Sequence, residues 1–87
     1  MHEASLMMNL MHRVEEIARN ERAQRIVSVS IWLGALSHIS ADHFAEHFER
    51  AAVGTLAEGA QLDIKVSNDP RHVNAQDMML ENVQVEI

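Results

Sequence analysis

The sequence predicts a small α+β domain: two helices packed on one face of a three-stranded, largely antiparallel sheet, in the chain order α-β-α-β-β. Two observations carry that expectation. Apolar residues recur at spacings of three and four over 4–19 and 41–53, which is helical periodicity. Over 25–33, 60–67 and 78–87 the dominant signal is β-branched content or alternation, the period of a strand. Both helical stripes are buried most simply if they share one side of one sheet.

The first helix, 4–19, carries Leu6, Leu10, Val14, Ile17 and Ala18 on one face, widened by Met7 and Met11. Ser5 or Glu3 favours its start, Arg19 sits in the last turn, and Asn20 is the expected terminator. The strand 25–33 points Val27, Val29, Ile31 and Leu33 into the core, and Ile26, Ser28, Ser30 and Trp32 to the opposite face. Gly34 ends it, and Leu36 and Ile39 mark a structured connection. Ser40 is the expected N-cap of the second helix, whose buried stripe is Phe44, Phe48, Ala51 and Ala52 and which Gly54 closes. Between 60 and 67, Leu62, Ile64 and Val66 alternate with Gln61, Asp63 and Lys65, as in an antiparallel strand with one wet face. A polar loop, 67–76, holds the only proline. In the last strand the apolar parity slips near Glu81-Asn82, which predicts a bulge.

Composition narrows the function. A chain of 87 residues is one domain near the low end of domain sizes, and 47% apolar residues argue against disorder. With one Trp, two Phe and no Tyr, the core must be aliphatic and Met-rich. A net charge of −6 disfavours nucleic acid and anionic membrane surfaces as partners. No apolar run approaches a membrane span, and the start lacks the basic-then-apolar pattern of a signal peptide, so a cytoplasmic location is expected. The chain has no cysteine, which removes disulfides, thiolate metal sites and thiol catalysis. No nucleophile with a base and orienter and no phosphate-binding glycine loop is present, so no enzymatic activity is expected. The small size favours a homodimer, with the Ile26 and Trp32 face and the edge strands as contact surfaces.

The start of the chain carries the sharpest chemistry. The α-amine of Met1, the backbone nitrogen of His2 and the His2 imidazole can close two fused chelate rings on one ion, with the Glu3 carboxylate near the open position. Nitrogen-rich tetragonal ligation suits Ni(II) or Cu(II) better than Zn(II). His43 and His47, four apart on the second helix, share a face and form a candidate secondary metal site with His38. The bland alternative for that pair is an exposed polar face opposite Phe44 and Phe48. His12 reads as a rim residue, His72 as a loop residue. The methionines Met7, Met8 and Met11 read as packing rather than a thioether site.

Beyond these local readings, five stretches resemble a known family. They are Met1-His2-Glu3-Ala4-Ser5-Leu6, Leu33-Gly34-Ala35-Leu36-Ser37, Phe44 to Glu49, Gly54-Thr55-Leu56-Ala57-Glu58-Gly59-Ala60-Gln61-Leu62-Asp63-Ile64, and Val83-Gln84-Val85-Glu86-Ile87. Together they resemble the HypA/HybF family of nickel metallochaperones, which help install nickel in NiFe hydrogenases and, in some organisms, in urease. The resemblance implies Ni(II) held by Met1, His2 and Glu3. It also implies, as partner, the large subunit of a NiFe hydrogenase or a nickel-maturation GTPase. Two departures stand out. Family members insert a zinc-ribbon domain with two Cys-x-x-Cys pairs between the last two strands; the loop 67–76 stands in its place here, so no zinc is expected. Ala35 also occupies a position where the family often carries an acidic residue. The alternative reading is a metal-independent interaction module that docks on a hydrogenase precursor or another maturation protein.

Overall fold

A computed structural model describes residues 3–87; the side chain of Glu3 is outside the described part, as are Met1 and His2. The chain forms α1 (Glu3–Asn20), β1 (Arg25–Leu33), α2 (Ala41–Ala52), β2 (Gln61–Val66) and β3 (Met78–Glu86). β1 is central, in the order β2-β1-β3.

The sheet is mixed. β3 runs antiparallel to β1, but β2 runs parallel to it, with Val29 opposite Leu62 and Ile31 opposite Ile64. This corrects the expectation of an antiparallel second strand. The reason lies in the connection: α2 intervenes between β1 and β2, and a helical crossover returns the chain to the same end of the sheet, which makes neighbours parallel. Alternation in β2 does report one wet face, since Leu62 and Ile64 are half-buried. At the sheet's edge, however, Val66 is exposed rather than inward.

Both helices lie over the face carrying Val29, Ile31 and Leu33. Met7, Leu10, Met11, Val14 and Ala18 of α1 and Phe44, Phe48 and Ala52 of α2 complete the core. Removing a side chain such as Phe or Leu from water contributes about 1.5–3 kcal/mol. That makes the aliphatic stripe, not helix propensity, the reason these two segments are helical.

Two bulges set the register. Between Ile26 and Ser28 the pairing slips, leaving Val27 as the extra residue on β1. Ile26 therefore turns into the core and is fully buried, whereas Val27 is only half-buried. This reverses the sidedness expected from strict alternation, and it removes Ile26 from the open face on which a dimer contact was expected. The second slip falls between Ser30 and Ile31, which face Asn82 and Leu80, so Glu81 is the extra residue on β3. That is the bulge the parity break predicts.

The helix ends are explicit. Ser40 accepts a hydrogen bond from the backbone N–H of His43 at 3.1 Å, the expected N-cap. α1 does not stop at Asn20 through that residue's own conformation; Arg22 takes the left-handed conformation (φ 56°), and the N–H of Ala23 reaches the carbonyl of Ala18 at 2.9 Å.

Candidate functional site

The tripeptide expected to hold metal is Met1-His2-Glu3, and α1 begins at Glu3. Met1, His2 and the Glu3 side chain lie outside the described residues; the structure describes the neighbourhood of the first turn of α1. Ala4, Met7 and Met8 of α1 line a shallow open depression with His47, Arg50 and Ala51 of α2. His47 is half-buried there, between the two core phenylalanines Phe44 and Phe48 in the chain. Arg50 is drawn to the exposed Glu46 one turn back, at 2.9 Å.

Of the other histidines, His43 is exposed and one turn nearer the Ser40 cap. His38 is exposed with a left-handed backbone (φ 62°). Among the described residues no group of three His, Asp or Glu side chains stands close enough to hold a metal ion. The structure therefore does not gather His38, His43 and His47 into one three-ligand cluster. His12 is exposed on α1 and lines the groove formed by Met8, Met11, Glu15, Arg19 and Ala51. The methionines divide: Met7 and Met11 are core, while Met8 is 63% exposed at the mouth of the depression.

The stretch 54–60 is a structural device. Gly54 takes φ 79°, and its N–H donates to the Glu58 carboxylate at 3.0 Å. The Thr55 hydroxyl donates to the Ala52 carbonyl at 2.7 Å and accepts from the Ala57 N–H at 3.0 Å. Ala57 is fully buried, and the Leu56 carbonyl accepts the N–H of Ile26 at 2.8 Å. These bonds stop α2, tie its end to the start of β1, and launch β2.

The polar loop is also built. The Ser67 N–H donates to the Leu33 carbonyl, the Leu36 N–H to Ala75, and the Gly34 N–H to Asp77, at 2.7–2.9 Å. The His72 ring lies against Trp32 with centroids 4.9 Å apart, and its Nδ1 accepts the Asn74 N–H at 2.9 Å. Trp32 is only 9% exposed as a result, so the indole expected on an open contact face is covered by the chain's own loop. Sequence reasoning assigned His72 no packing role. A lone His in a polar loop signals none until the strand end beneath it is known.

The architecture, two helices over one face of a mixed three-stranded sheet, has a counterpart among solved structures. The solution structure of the Ni metallochaperone HypA from Helicobacter pylori superposes with a TM-score of 0.81, covering 99% of this chain and 98% of that one; at 20% identity the likeness shows the fold. The sequence settles the family. Residues 1–85 match the family described as "Hydrogenase/urease nickel incorporation, metallochaperone, hypA", and the chain belongs to it. The hydrogenase maturation factor HypA of Chlorobium limicola is 43% identical over 65 residues, 75% of this chain and 56% of that protein. That of Nitrosospira multiformis is 34% identical over 82 residues, 94% of this chain and 70% of that protein. The chain thus spans little more than half the length of the first of these relatives.

Proposed function

We propose that this protein is a nickel metallochaperone that takes Ni(II) at its N-terminus and delivers it during maturation of a NiFe hydrogenase or a urease. Membership of the HypA family is the observation that carries the reading. The chemistry of the first three residues supports it: an α-amine, a backbone nitrogen and an imidazole within two residues form a compact nitrogen claw, with the Glu3 carboxylate beside it. Helix geometry is compatible with this. The first N–H groups of a helix have no intrahelical acceptor, so a metal that claims backbone nitrogen ahead of α1 breaks no helical bond. Ligands at a chain end exchange more readily than a closed cage, which suits a carrier. The partner on this reading is the hydrogenase large subunit or a nickel-maturation GTPase, and the ion is cargo rather than a resident cofactor.

The test is isothermal titration with Ni(II) of three proteins: the native N-terminus, His2→Ala, and a one-residue extension ahead of Met1. The reading expects binding to be lost or sharply weakened in the last two. Equal affinity in all three overturns it. Hydrogenase maturation that survives His2→Ala would instead favour a metal-independent docking module.

A further inference from the structure

We propose that the outer edge of β2 is a self-association surface whose occupant is a second copy of this chain, added antiparallel and centred on Ile64. The contact needs no metal and stands apart from the nickel reading above.

The backbone is available for it. β1 is central, so β2 is bonded within the sheet on one side only. Leu33 stands opposite Val66, and its carbonyl accepts the Ser67 N–H at 2.8 Å. In a parallel ladder the residues that bond inward are those flanking each opposed residue, here Gln61, Asp63, Lys65 and Ser67. The N–H and C=O groups of Leu62, Ile64 and Val66 therefore point away from the sheet. Such a row is a template for another strand. The side chains leave the edge open: Leu62 and Ile64 are only half-buried, and Val66 is 56% exposed.

Charge selects the occupant. Leu62 and Ile64 pack toward the core, so Asp63 and Lys65 lie on the face away from the helices, and both are exposed. Lys65 is the chain's only lysine. Among the described residues neither side chain makes an ion pair or a hydrogen bond. A two-fold axis through an Ile64 pair sets Asp63 of each copy opposite Lys65 of the other, so the contact is made twice. The backbone of both residues bonds inward, so they would oppose each other as non-hydrogen-bonded positions. There the Cα atoms approach to about 4.5 Å and the side chains lie closest. On the helix side Ile64 meets its own copy and Leu62 meets Val66, while the outward N–H and C=O groups of all three residues find partners. Centring on Asp63 or on Lys65 would set like charge against like charge, which disfavours both alternatives.

The opposite edge lacks these features. β3 is bulged at Glu81, which blunts it, and its charged residues, Glu81 and Glu86, are both acidic. Arg25 already holds Glu86 at 3.2 Å.

The test is sedimentation equilibrium of the full chain with EDTA present, so that no metal bridges the copies. The unaltered protein should dimerise reversibly as its concentration rises. Asp63→Lys and Lys65→Asp each turn both cross-strand pairs into like-charge pairs and should weaken dimerisation by about tenfold or more. Mixed one to one, the two variants should associate again, because each then meets the opposite charge. The double variant, Asp63→Lys with Lys65→Asp, should recover dimerisation by itself. A protein that stays monomeric at every concentration overturns the proposal. So does a dimer that persists in both single variants, which would place the contact elsewhere. A dimer lost in both and restored neither by mixing nor by the double variant overturns the antiparallel register and the proposal with it.

Discussion

A methyl group on Gly34 would overlap the carbonyl oxygen of Ala75, because the loop 67–77 returns against the end of β1 with backbone touching backbone. The Leu36 N–H bonds that same carbonyl, so the oxygen cannot retreat without losing a partner. Gly34→Ala should therefore destabilise the fold by about 1–3 kcal/mol, the usual cost of overpacking. For a domain of this size that lowers the melting midpoint by on the order of 10 °C. A midpoint unchanged in differential scanning calorimetry would show that the loop is not seated as described.

The same loop shields the only tryptophan, which gives a direct optical readout. His72→Ala removes the ring packed at a tilt against Trp32. Emission should shift to longer wavelength and quenching by acrylamide should rise. Stability should fall by no more than about 1.5 kcal/mol, the scale of one aromatic pair.

Phe44 is a stronger test of the core. It is fully buried on the core face of α2, and Phe44→Ala should cost about 3–5 kcal/mol. Small domains have total stabilities that begin near 5 kcal/mol. A stability near that lower figure would fall to about 0–2 kcal/mol, bringing the unfolding midpoint close to room temperature as judged by far-ultraviolet circular dichroism.

Loss of the cap on α2 should be milder. Ser40→Ala leaves the His43 N–H without its acceptor at 3.1 Å and should cost about 1 kcal/mol in urea unfolding, with Ser40→Asp retaining most of it.

Nickel uptake should weaken as the solution is acidified from pH 8 to pH 6. An α-amine ordinarily titrates near 7.7–8.0 and an imidazole near 6.5, and each must be unprotonated to ligate. Protons therefore compete with the ion throughout this window, and the apparent affinity should fall monotonically in titration calorimetry at constant ionic strength. A pH-independent affinity would mean that neither group is a ligand.

Much of this fold was legible in the residues. Ser40 ahead of an apolar stripe announced α2, and the parity slip at Glu81 announced a bulge, because caps and alternation are local signals. What stayed hidden was non-local. The direction of β2 depends on where α2 delivers the chain, and Leu62, Ile64 and Val66 alternate equally well in either sense. The sidedness of Ile26 depends on a register slip at Val27 that no break in apolar pattern marks, since Ile26, Val27 and Val29 are all apolar. The burial of Trp32 depends on a loop more than thirty residues away in the chain. At the site, the shared helical spacing of His43 and His47 was readable, while the expected Met1-His2-Glu3 claw lies outside the described residues. That His47 lines a depression with Ala4, Met7 and Met8 while His43 does not depends on how the two helices pack.

Leu33 has Val66 on one side and Met78 on the other, so β2 ends and β3 begins beside the same residue. The two openings are about 10 Å apart, twice the spacing between strands. Whatever joins them leaves and re-enters at one rim of the sheet and disturbs no ladder. Lengthening such a junction raises closure entropy only logarithmically. The rim is thus a docking port for inserted chain: an eleven-residue strap, 67–77, fits it here, and a self-folding module of any size could be exchanged for the strap without re-threading the rest.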